Sequence, residues 1–478
     1  MLFNSYSFPI FFALFFLVYI PLPHALRRVW LLLASCVFYM VLIPKYILIL
    51  FFLIGVDYLS GIGIEKSIGS RRKTILTISI LANIGILFVF KYFNFFASEV
   101  SHILSLFGLS HRIELLTLVL PVGLSFHTFQ SLSYVIEVFY RRQKAETNLL
   151  TYALYVMFWP QLVAGPIERP QQLLHQLRDK QPFDSRQVVL GFRLILLGFL
   201  KKMVIADRLA IYVDAVFQNP SGFSGVPLIL ATYFFTIQIY CDFSGYTDIA
   251  RGLSRLMGIE LSQNFNFPYL ATSISDFWRR WHISLSSWFR DYVYIPLGGN
   301  RVGAFRRNIN IAAVFLLSGL WHGAQWTFVI WGGVHGLYLI FSEILQPIKT
   351  SLQSKLSLSP EISTFINRLI TFHLVAFAWI FFRAGSLKDA WYVVSHLFSQ
   401  TVYAADIPNA ALSLRQLTIR FAMIALLLIL EWRSQNQPAE TTLSKLQPWQ
   451  RWGLYYAGVA AVMMMGVFET AKFIYFQF

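Results

Sequence analysis

The chain has 478 residues, of which 56% are hydrophobic and only 13% are charged. So apolar a composition excludes an ordinary soluble domain and predicts a polytopic membrane protein. The formal net charge of +16 would be compatible with a nucleic-acid-binding protein, but the lysines and arginines fall in short loops between apolar runs. We therefore exclude nucleic acid as a partner.

Apolar runs follow one another along the whole chain, and each approaches the length that a helix needs to cross a bilayer. They are 8–22, 29–43, 46–64, 75–96, 115–139, 149–163, 188–199, 226–240, 309–320, 326–341, 365–382, 417–430 and 454–467. We expect an all-α protein of about 11–13 transmembrane or re-entrant helices around a central funnel or tunnel. It would form one membrane domain over 1–478, with N-terminal scaffold helices at 1–110, a catalytic core at 112–345 and C-terminal helices at 346–478.

The basic clusters predict how the chain is oriented. The first apolar run lacks the basic segment and cleavage site of a signal peptide, so we expect it to be retained. Basic residues at 27–28, 66–73 and 141–144 border spans, and two spans separate each cluster from the next. The positive-inside rule places all three loops in the cytoplasm and the N-terminus outside. Some of these charges would also contact anionic membrane lipid.

The middle of the chain carries most of the polar and helix-breaking residues. Pro and Gly at 121–123 interrupt an apolar run, which indicates broken helices covered by protein or by a water-filled cavity. Asp242 and Asp248 lie six residues apart, so a continuous helix would not place them on one face as a catalytic dyad. A polar tunnel wall, or a helix cap at 244–245, explains this segment more simply.

Segment 276–291 has the pattern of one amphipathic helix, with tryptophans on one side and arginines on the other. His282 falls on the aromatic side. It is either a histidine hydrogen-bonded within an interfacial core or a polar group directed into a cavity. The turn-rich stretch 292–301 follows, and its backbone N–H groups and arginines would suit phosphates or a pantetheine-linked nucleotide. The alternative is an ordinary cytoplasmic loop.

His322 is the most informative residue, because it interrupts an apolar region with no formal charge between Asn308 and Phe341. Such surroundings favour the neutral imidazole that a general base requires. A structural histidine bonded to a backbone carbonyl is the alternative. His335 is a weaker candidate that we expect to serve helix packing. The two cysteines, Cys36 and Cys241, are too few and too far apart to indicate a zinc site or a disulfide framework.

Five sequence blocks resemble the membrane-bound O-acyltransferase family, most closely its alginate O-acetyltransferase-like bacterial branch. They are PQLVAGPI at 160–167, FSGYTD at 243–248, QNFNFPYLATSISDFWRRWH at 263–282, PLGGNR at 296–301 and GLWHGA at 319–324. The N-terminal spans also fit the family pattern, so the resemblance covers essentially the whole chain. His127 departs from it, because related members tend to have an aromatic or small residue there. We assign it no role.

The resemblance implies a helical membrane enzyme in which His322 is the catalytic histidine and His282 is a second, essential or supporting one. The candidates for the substrate tunnel are Trp281, Trp321, Asp242, Tyr246 and Gln130. The candidates for a donor-side loop are Arg279, Arg280, Asn300 and Arg301. No bound cofactor or metal is expected, since a thioester donor is already activated.

The expected function is O-acetyl transfer across a bacterial inner membrane. The donor would be cytoplasmic acetyl-CoA, and the acceptor an extracytoplasmic polysaccharide such as peptidoglycan, alginate or cellulose, reached through a periplasmic or membrane partner protein. The N-terminus would be periplasmic. The alternatives are D-alanyl or other acyl transfer to a cell-envelope polymer, a transporter or flippase for an acyl or lipid-linked sugar, and a scaffold that recruits a polymer synthase.

Overall fold

The computed structural model describes residues 1–41, 43–109, 113–355, 357–402, 413–435, 445–468 and 474. Within these ranges the regular structure is helical, and the one strand-like pairing is an antiparallel bridge between Ser224 and Val402. The predicted all-α class is confirmed.

The chain divides into two compact units. The first comprises Met1–Ile195 and Ile249–Ser262, and the second comprises Leu196–Asp248 and Gln263–Phe478. The α-helices of the first unit are α1 Ser7–Tyr19, α2 His24–Met40, α3 Ile47–Lys66, α4 Gly69–Leu87, α5 Phe93–Leu106, α6 Leu124–Phe139, α7 Leu149–Met157 and α8 Pro170–Arg178. Helices α9 Ser185–Phe199 and α11 Val226–Leu256 contribute residues to both units.

The second unit contains the sequence blocks around His282 and His322. Its α-helices are α10 Asp207–Phe217, α12 Ile274–Arg280, α13 Ile283–Phe289, α14 Ala304–His322, α15 Trp326–Ile344, α16 Gln346–Lys355, α17 Pro360–Arg383, α18 Leu387–His396, α19 Leu414–Ser434 and α20 Pro448–Met465. Segments Leu200–Ala206 and Arg290–Tyr294 are π-helical. The division into 1–110, 112–345 and 346–478 stays a prediction.

Several helical segments are long and apolar enough to cross a membrane. Among the described residues they are Pro44–Lys66, Gly69–Leu106, Val226–Leu256, Trp326–Ile344 and Pro360–Arg383. Other predicted runs correspond to shorter or less apolar helices, such as run 8–22 in α1 and run 309–320 in α14. The chain is therefore a multi-pass membrane protein.

Backbone chemistry decides two features of the apolar runs. The break indicated by Pro and Gly at 121–123 is present, because the run 115–139 is helical only from Leu124, after Gly123 with a φ of +76°. The cap considered at 244–245 is absent, since α11 runs unbroken from Val226 to Leu256. A Cβ atom on Gly245 would lie only 2.8 Å from the carbonyl oxygen of Gly198, so this glycine permits close packing instead.

A buried carboxylate in the first unit is hydrogen-bonded to side chains of the neighbouring helix. The carboxylate of Asp57 in α3 accepts hydrogen bonds from the Ser79 hydroxyl at 2.6 Å and from the Asn83 amide at 2.9 Å, both in α4. All three residues are buried. Such interhelical hydrogen bonds pair polar groups that lipid could not solvate, so they fix the register of α3 against α4.

Helices α14 and α15 pack as a tight antiparallel hairpin in the second unit. Gly319 approaches the backbone of Phe328, and Gly332 approaches the backbone of Phe315, so closely that neither position has room for a Cβ atom. Small residues at a helix contact let the backbones meet, which is a common way to pack membrane helices. This contact fixes the end of α14, where His322 lies.

Candidate active site

His282 lies at a break between two short helices. Helix α12 ends at Arg280 and α13 begins at Ile283, and between them His282 adopts the left-handed conformation, with φ of +42° and ψ of +54°. The predicted continuous helix over 276–291 is therefore wrong at this point. For a residue other than glycine this conformation costs roughly 1–2 kcal/mol, so surrounding contacts must hold it in place.

Asn264 supplies contacts that hold the break. Its backbone carbonyl accepts a hydrogen bond from the Ile283 N–H at 2.9 Å, and its side-chain Oδ1 accepts one from the Ser284 N–H at 3.1 Å. Both N–H groups belong to the first turn of α13, where no intrahelical partner exists. Asn264 is buried and caps this helix from a distant part of the sequence. Sequence reasoning missed it, because only the fold brings it to His282.

His322 is the last residue of α14, and Gly323 continues in extended backbone. Its ring is buried against aromatic side chains, with ring centroids 5.0 Å from Trp331 and 5.3 Å from Phe382. Helix α14 thus carries the imidazole into an interior that is largely aromatic. The prediction of a histidine within an apolar interior is confirmed.

Trp321 contacts both predicted catalytic histidines. Its ring centroid is 4.9 Å from that of His322 and 6.1 Å from that of His282. His282 is fully buried and also packs edge-on against Phe243 at 4.7 Å. The fold therefore brings two imidazoles that are forty residues apart in sequence to one indole.

The other tunnel candidates lie in different surroundings. Trp281 is buried, with its ring centroid 5.0 Å from that of Trp379, and Tyr246 is buried in α11. Gln130 belongs to the first unit, where its side-chain amide donates to the Tyr155 carbonyl. A tunnel role for these three residues stays a prediction.

Asp242, the remaining tunnel candidate, belongs to a buried network of ion pairs. The Lys202 ammonium is 2.5 Å from Asp242 and 2.8 Å from Asp207, and the Lys201 ammonium is 2.8 Å from Asp248. Sequence reasoning missed both lysines. The available signal was a Lys-Lys pair directly after one apolar run and two aspartates inside another. Opposite charges at membrane depth usually pair.

The donor-loop candidates divide into two groups. Arg279 and Arg280 both pair with Asp276, at 3.8 and 3.0 Å, and the Arg279 side chain is 72% exposed. Arg301 is exposed. Asn300 differs from these arginines because it lines a cavity.

That cavity has a volume of about 380 Å³ and lies among α12, α13, α14 and α15. Its α14 wall is formed by Ile311, Val314, Phe315 and Ser318. Apart from the adjacent pair Val314 and Phe315, these residues follow one another at intervals of three or four positions. His322 lies four positions after Ser318. They therefore share one helix face with the imidazole.

The cavity is lined by both exposed polar side chains and buried side chains. Its lining includes Arg290 and Glu343, whose side chains are 64% and 48% exposed, together with Asn300. Leu285 and Ser318 are buried lining residues. A ligand could therefore place a charged group at the open end and an apolar chain along the α14 face toward His322.

Two further histidines were noted in the sequence. His127 is buried in the first unit, with its ring centroid 6.1 Å from that of Tyr39. His335 is fully buried in α15 among aromatic rings, in agreement with its predicted packing role. Within the ranges that the structure describes, no three His, Cys, Asp or Glu side chains are grouped so that they could hold a metal ion.

The sequence matches known proteins along most of its length. A family model described as MBOAT, membrane-bound O-acyltransferase family, matches residues 71–382. A probable alginate O-acetylase AlgI of Pseudomonas aeruginosa is 35% identical over 446 residues, which cover 91% of this chain and 82% of that protein. A peptidoglycan O-acetyltransferase of Helicobacter pylori is 36% identical over 390 residues, with 76% and 72% coverage.

A teichoic acid D-alanyltransferase of Bacillus subtilis is more distant, at 29% identity over 279 residues, or 55% of this chain and 68% of that protein. All these relatives are named for acyl transfer, and the family match includes both histidines that contact Trp321. The chain therefore belongs to the membrane-bound O-acyltransferase family and is a membrane acyltransferase.

Proposed function

We propose that the protein transfers an acetyl group from acetyl-CoA to a hydroxyl of an extracytoplasmic polysaccharide, across a bacterial inner membrane. The proposal is carried by two buried imidazoles that contact Trp321. One of them, His322, lies at the end of the α14 face that also lines the 380 Å³ cavity. Similarity to O-acetylating relatives favours acetyl as the acyl group.

His322 acts as the general base in this proposal. It accepts the proton of the acceptor hydroxyl while the hydroxyl oxygen forms a bond to the thioester carbonyl carbon. The carbon–sulfur bond then breaks, and the departing thiolate takes the proton back from the imidazolium. An aromatic, water-poor environment suits this chemistry, because it protects the thioester from hydrolysis.

His282 orients the acceptor or His322. Its left-handed backbone directs the ring toward Phe243 and Trp321. The donor enters from the cytoplasmic side, with its nucleotide at Arg290 and Asn300. The acceptor arrives from the opposite side with a periplasmic or membrane partner protein, and the N-terminus is periplasmic. The membrane sides given to the donor, the acceptor and the N-terminus all depend on the basic loops being cytoplasmic.

The test measures acetyl transfer from radiolabelled acetyl-CoA by purified protein with an oligosaccharide acceptor. We expect His322→Ala to lower the rate by about 10²–10⁴-fold, the usual contribution of a general base. His373→Ala is the matched control, since His373 is an exposed histidine of the same unit. Undiminished transfer by His322→Ala refutes the base assignment. If the acceptor is labelled by a D-alanyl thioester and not by acetyl-CoA, acetyl is refuted as the transferred group.

A further inference from the structure

A groove lies between two helices of the second unit that are long and apolar enough to cross a membrane. This α15–α17 groove has a volume of about 760 Å³ and is bounded by α15, by α16 and by α17. Its α17 wall is one helix face, because its residues lie in successive turns, three or four positions apart. They are Ser363, Ile366, Asn367, Ile370, Thr371 and Leu374. The wall is about 16 Å long at ~1.5 Å per residue, which matches one leaflet, half of a hydrocarbon core that is roughly 30 Å thick.

The walls of the groove suit an acyl chain. Phe341 of α15 and Ile370 of α17 line it and are 52% and 53% exposed. The hydroxyl groups of Ser342 and Thr371 donate to backbone carbonyls of their own helices, each at 2.7 Å, so they do not require a polar ligand. Exposed apolar side chains on membrane-spanning helices contact lipid. The groove therefore offers a lipid chain a concave apolar surface.

One end of the groove carries a positive charge. The charge belongs to Lys349 of α16, and Gln346 lies three positions before it on the same helix face. Glu343 also lines the groove, but its carboxylate is paired with Arg307 of α14. Among the described residues of the lining, Lys349 is therefore the charge available to a ligand. The polar end of that ligand must be anionic.

This end of the groove lies on the side of the basic loop 301–307. Arg307 is in the first turn of α14, and its partner Glu343 is near the end of α15, so these two helix ends are adjacent. The positive-inside rule places such a loop in the cytoplasm. Anionic lipids occupy the cytoplasmic leaflet, and basic pockets between membrane helices on that side bind their head groups.

We propose that the α15–α17 groove binds an anionic phospholipid of the cytoplasmic leaflet. The lipid phosphate accepts hydrogen bonds from the Lys349 ammonium and the Gln346 amide, and one acyl chain lies along Ile366, Ile370 and Leu374. A zwitterionic lipid fits less well, because its head-group cation meets no unpaired carboxylate among the described lining residues. A polysaccharide would leave its hydroxyls without partners on the apolar walls. The inference goes beyond the proposed function, since lipid binding requires no acyl transfer.

The experiment uses a phosphatidylglycerol with a photoreactive diazirine in its acyl chain. Purified full-length protein in phosphatidylcholine nanodiscs receives the probe, and mass spectrometry after illumination quantifies the labelling of α15 and α17 peptides. Ile370→Trp fills the groove, and its matched control is Leu369→Trp, at the neighbouring exposed position outside the lining. Lys349→Gln removes the charge. Its control is Lys355→Gln, since Lys355 is an exposed residue of α16 outside the lining.

We expect Ile370→Trp to abolish labelling of the groove peptides. Lys349→Gln should weaken binding of the probe about fivefold, the usual contribution of one lysine near a membrane surface. Both controls should be labelled like the wild-type protein, and unlabelled phosphatidylglycerol should displace the probe. Thermal unfolding of each variant verifies that it is folded.

Three results would overturn the inference. Equal labelling of Ile370→Trp and Leu369→Trp would mean that the probe reports only the lipid around any membrane protein. Equal effects of the two lysine substitutions would reduce the head-group contact to general surface charge. The groove shares Ser275, Ser342 and Glu343 with the 380 Å³ cavity, so displacement of the probe by acetyl-CoA and not by phosphatidylglycerol would assign the groove to the donor. None of these results bears on whether His322 is the base, which the acetyl-transfer assay decides separately.

Discussion

Replacing Gly332 by alanine tests whether the backbone contact between α14 and α15 sets the geometry of the site. A Cβ atom at this position would lie 3.0 Å from the carbonyl carbon of Phe315 and 3.2 Å from the backbone nitrogen of Gly319, and closer still to the Phe315 carbonyl oxygen. Ordinary contacts of a Cβ atom begin at about 3.4 Å. Backbone atoms cannot rotate away, so the two helices must separate.

The expected magnitude follows from two opposing effects. Overpacking at a tight contact costs about 1–3 kcal/mol, and alanine regains up to about 1 kcal/mol of helix propensity over glycine. The net change is a loss of up to about 2 kcal/mol in the free energy of unfolding. The separation also shifts Trp331, the residue directly before Gly332, against His322. A misplacement of about 1 Å near reacting groups can lower the rate about 10²-fold.

Gly333→Ala is the matched control, because the neighbouring glycine has room. A Cβ atom there would meet only the Leu316 side chain, at an ordinary 3.5 Å. We therefore expect Gly333→Ala to keep full activity and to raise Tm slightly, while Gly332→Ala lowers both Tm and kcat. The assays are acetyl transfer and thermal unfolding of the solubilised protein. Wild-type activity and Tm for Gly332→Ala would refute the argument that this contact positions His322.

Two further predictions share Lys388→Ala as their control, because that side chain is exposed and lies outside the cavity lining. Lys202→Met leaves the carboxylates of Asp207 and Asp242 buried without their cation, so we expect a loss of about 3–5 kcal/mol of stability in thermal or denaturant unfolding. An unchanged unfolding midpoint would contradict this. Arg290→Ala should raise the KM for acetyl-CoA and leave the KM for S-acetylpantetheine unchanged, since Arg290 lines the open end of the cavity. Equal KM changes for the two donors would disprove a nucleotide contact there.

The sequence was sufficient to predict the fold class and the apolar surroundings of His322. A long apolar run in a membrane forms a helix, because lipid cannot form hydrogen bonds with exposed backbone N–H and C=O groups. A histidine inside such a pattern signals function for the same reason. The conformation of His282 was not predictable in this way. The helical wheel assumed one helix through 276–291, and hydropathy contains no signal for a left-handed residue held by Asn264.

The buried charges were also beyond local sequence reasoning. Asp242 and Asp248 lie six residues apart on one helix, and this spacing argues against a dyad. Their partners Lys201 and Lys202 lie in a π-helical segment some forty residues earlier. Only tertiary structure decides whether a charge in an apolar run lines a water-filled path or neutralises another charge. Here the ion pairs favour a structural role for Asp242, so its loss should affect stability before it affects acyl transfer.

Three departures from ordinary folding rules lie near His322. A non-glycine residue is left-handed at His282, glycines bring α14 and α15 into backbone contact, and unsatisfied indole and imidazole nitrogens surround His335. The left-handed residue and the unsatisfied nitrogens each lower stability, and such costs persist mainly where function requires them. Because Trp331 and Trp321 connect both of these features to His322, a substitution that removes either cost should stabilise the fold and slow acyl transfer at the same time.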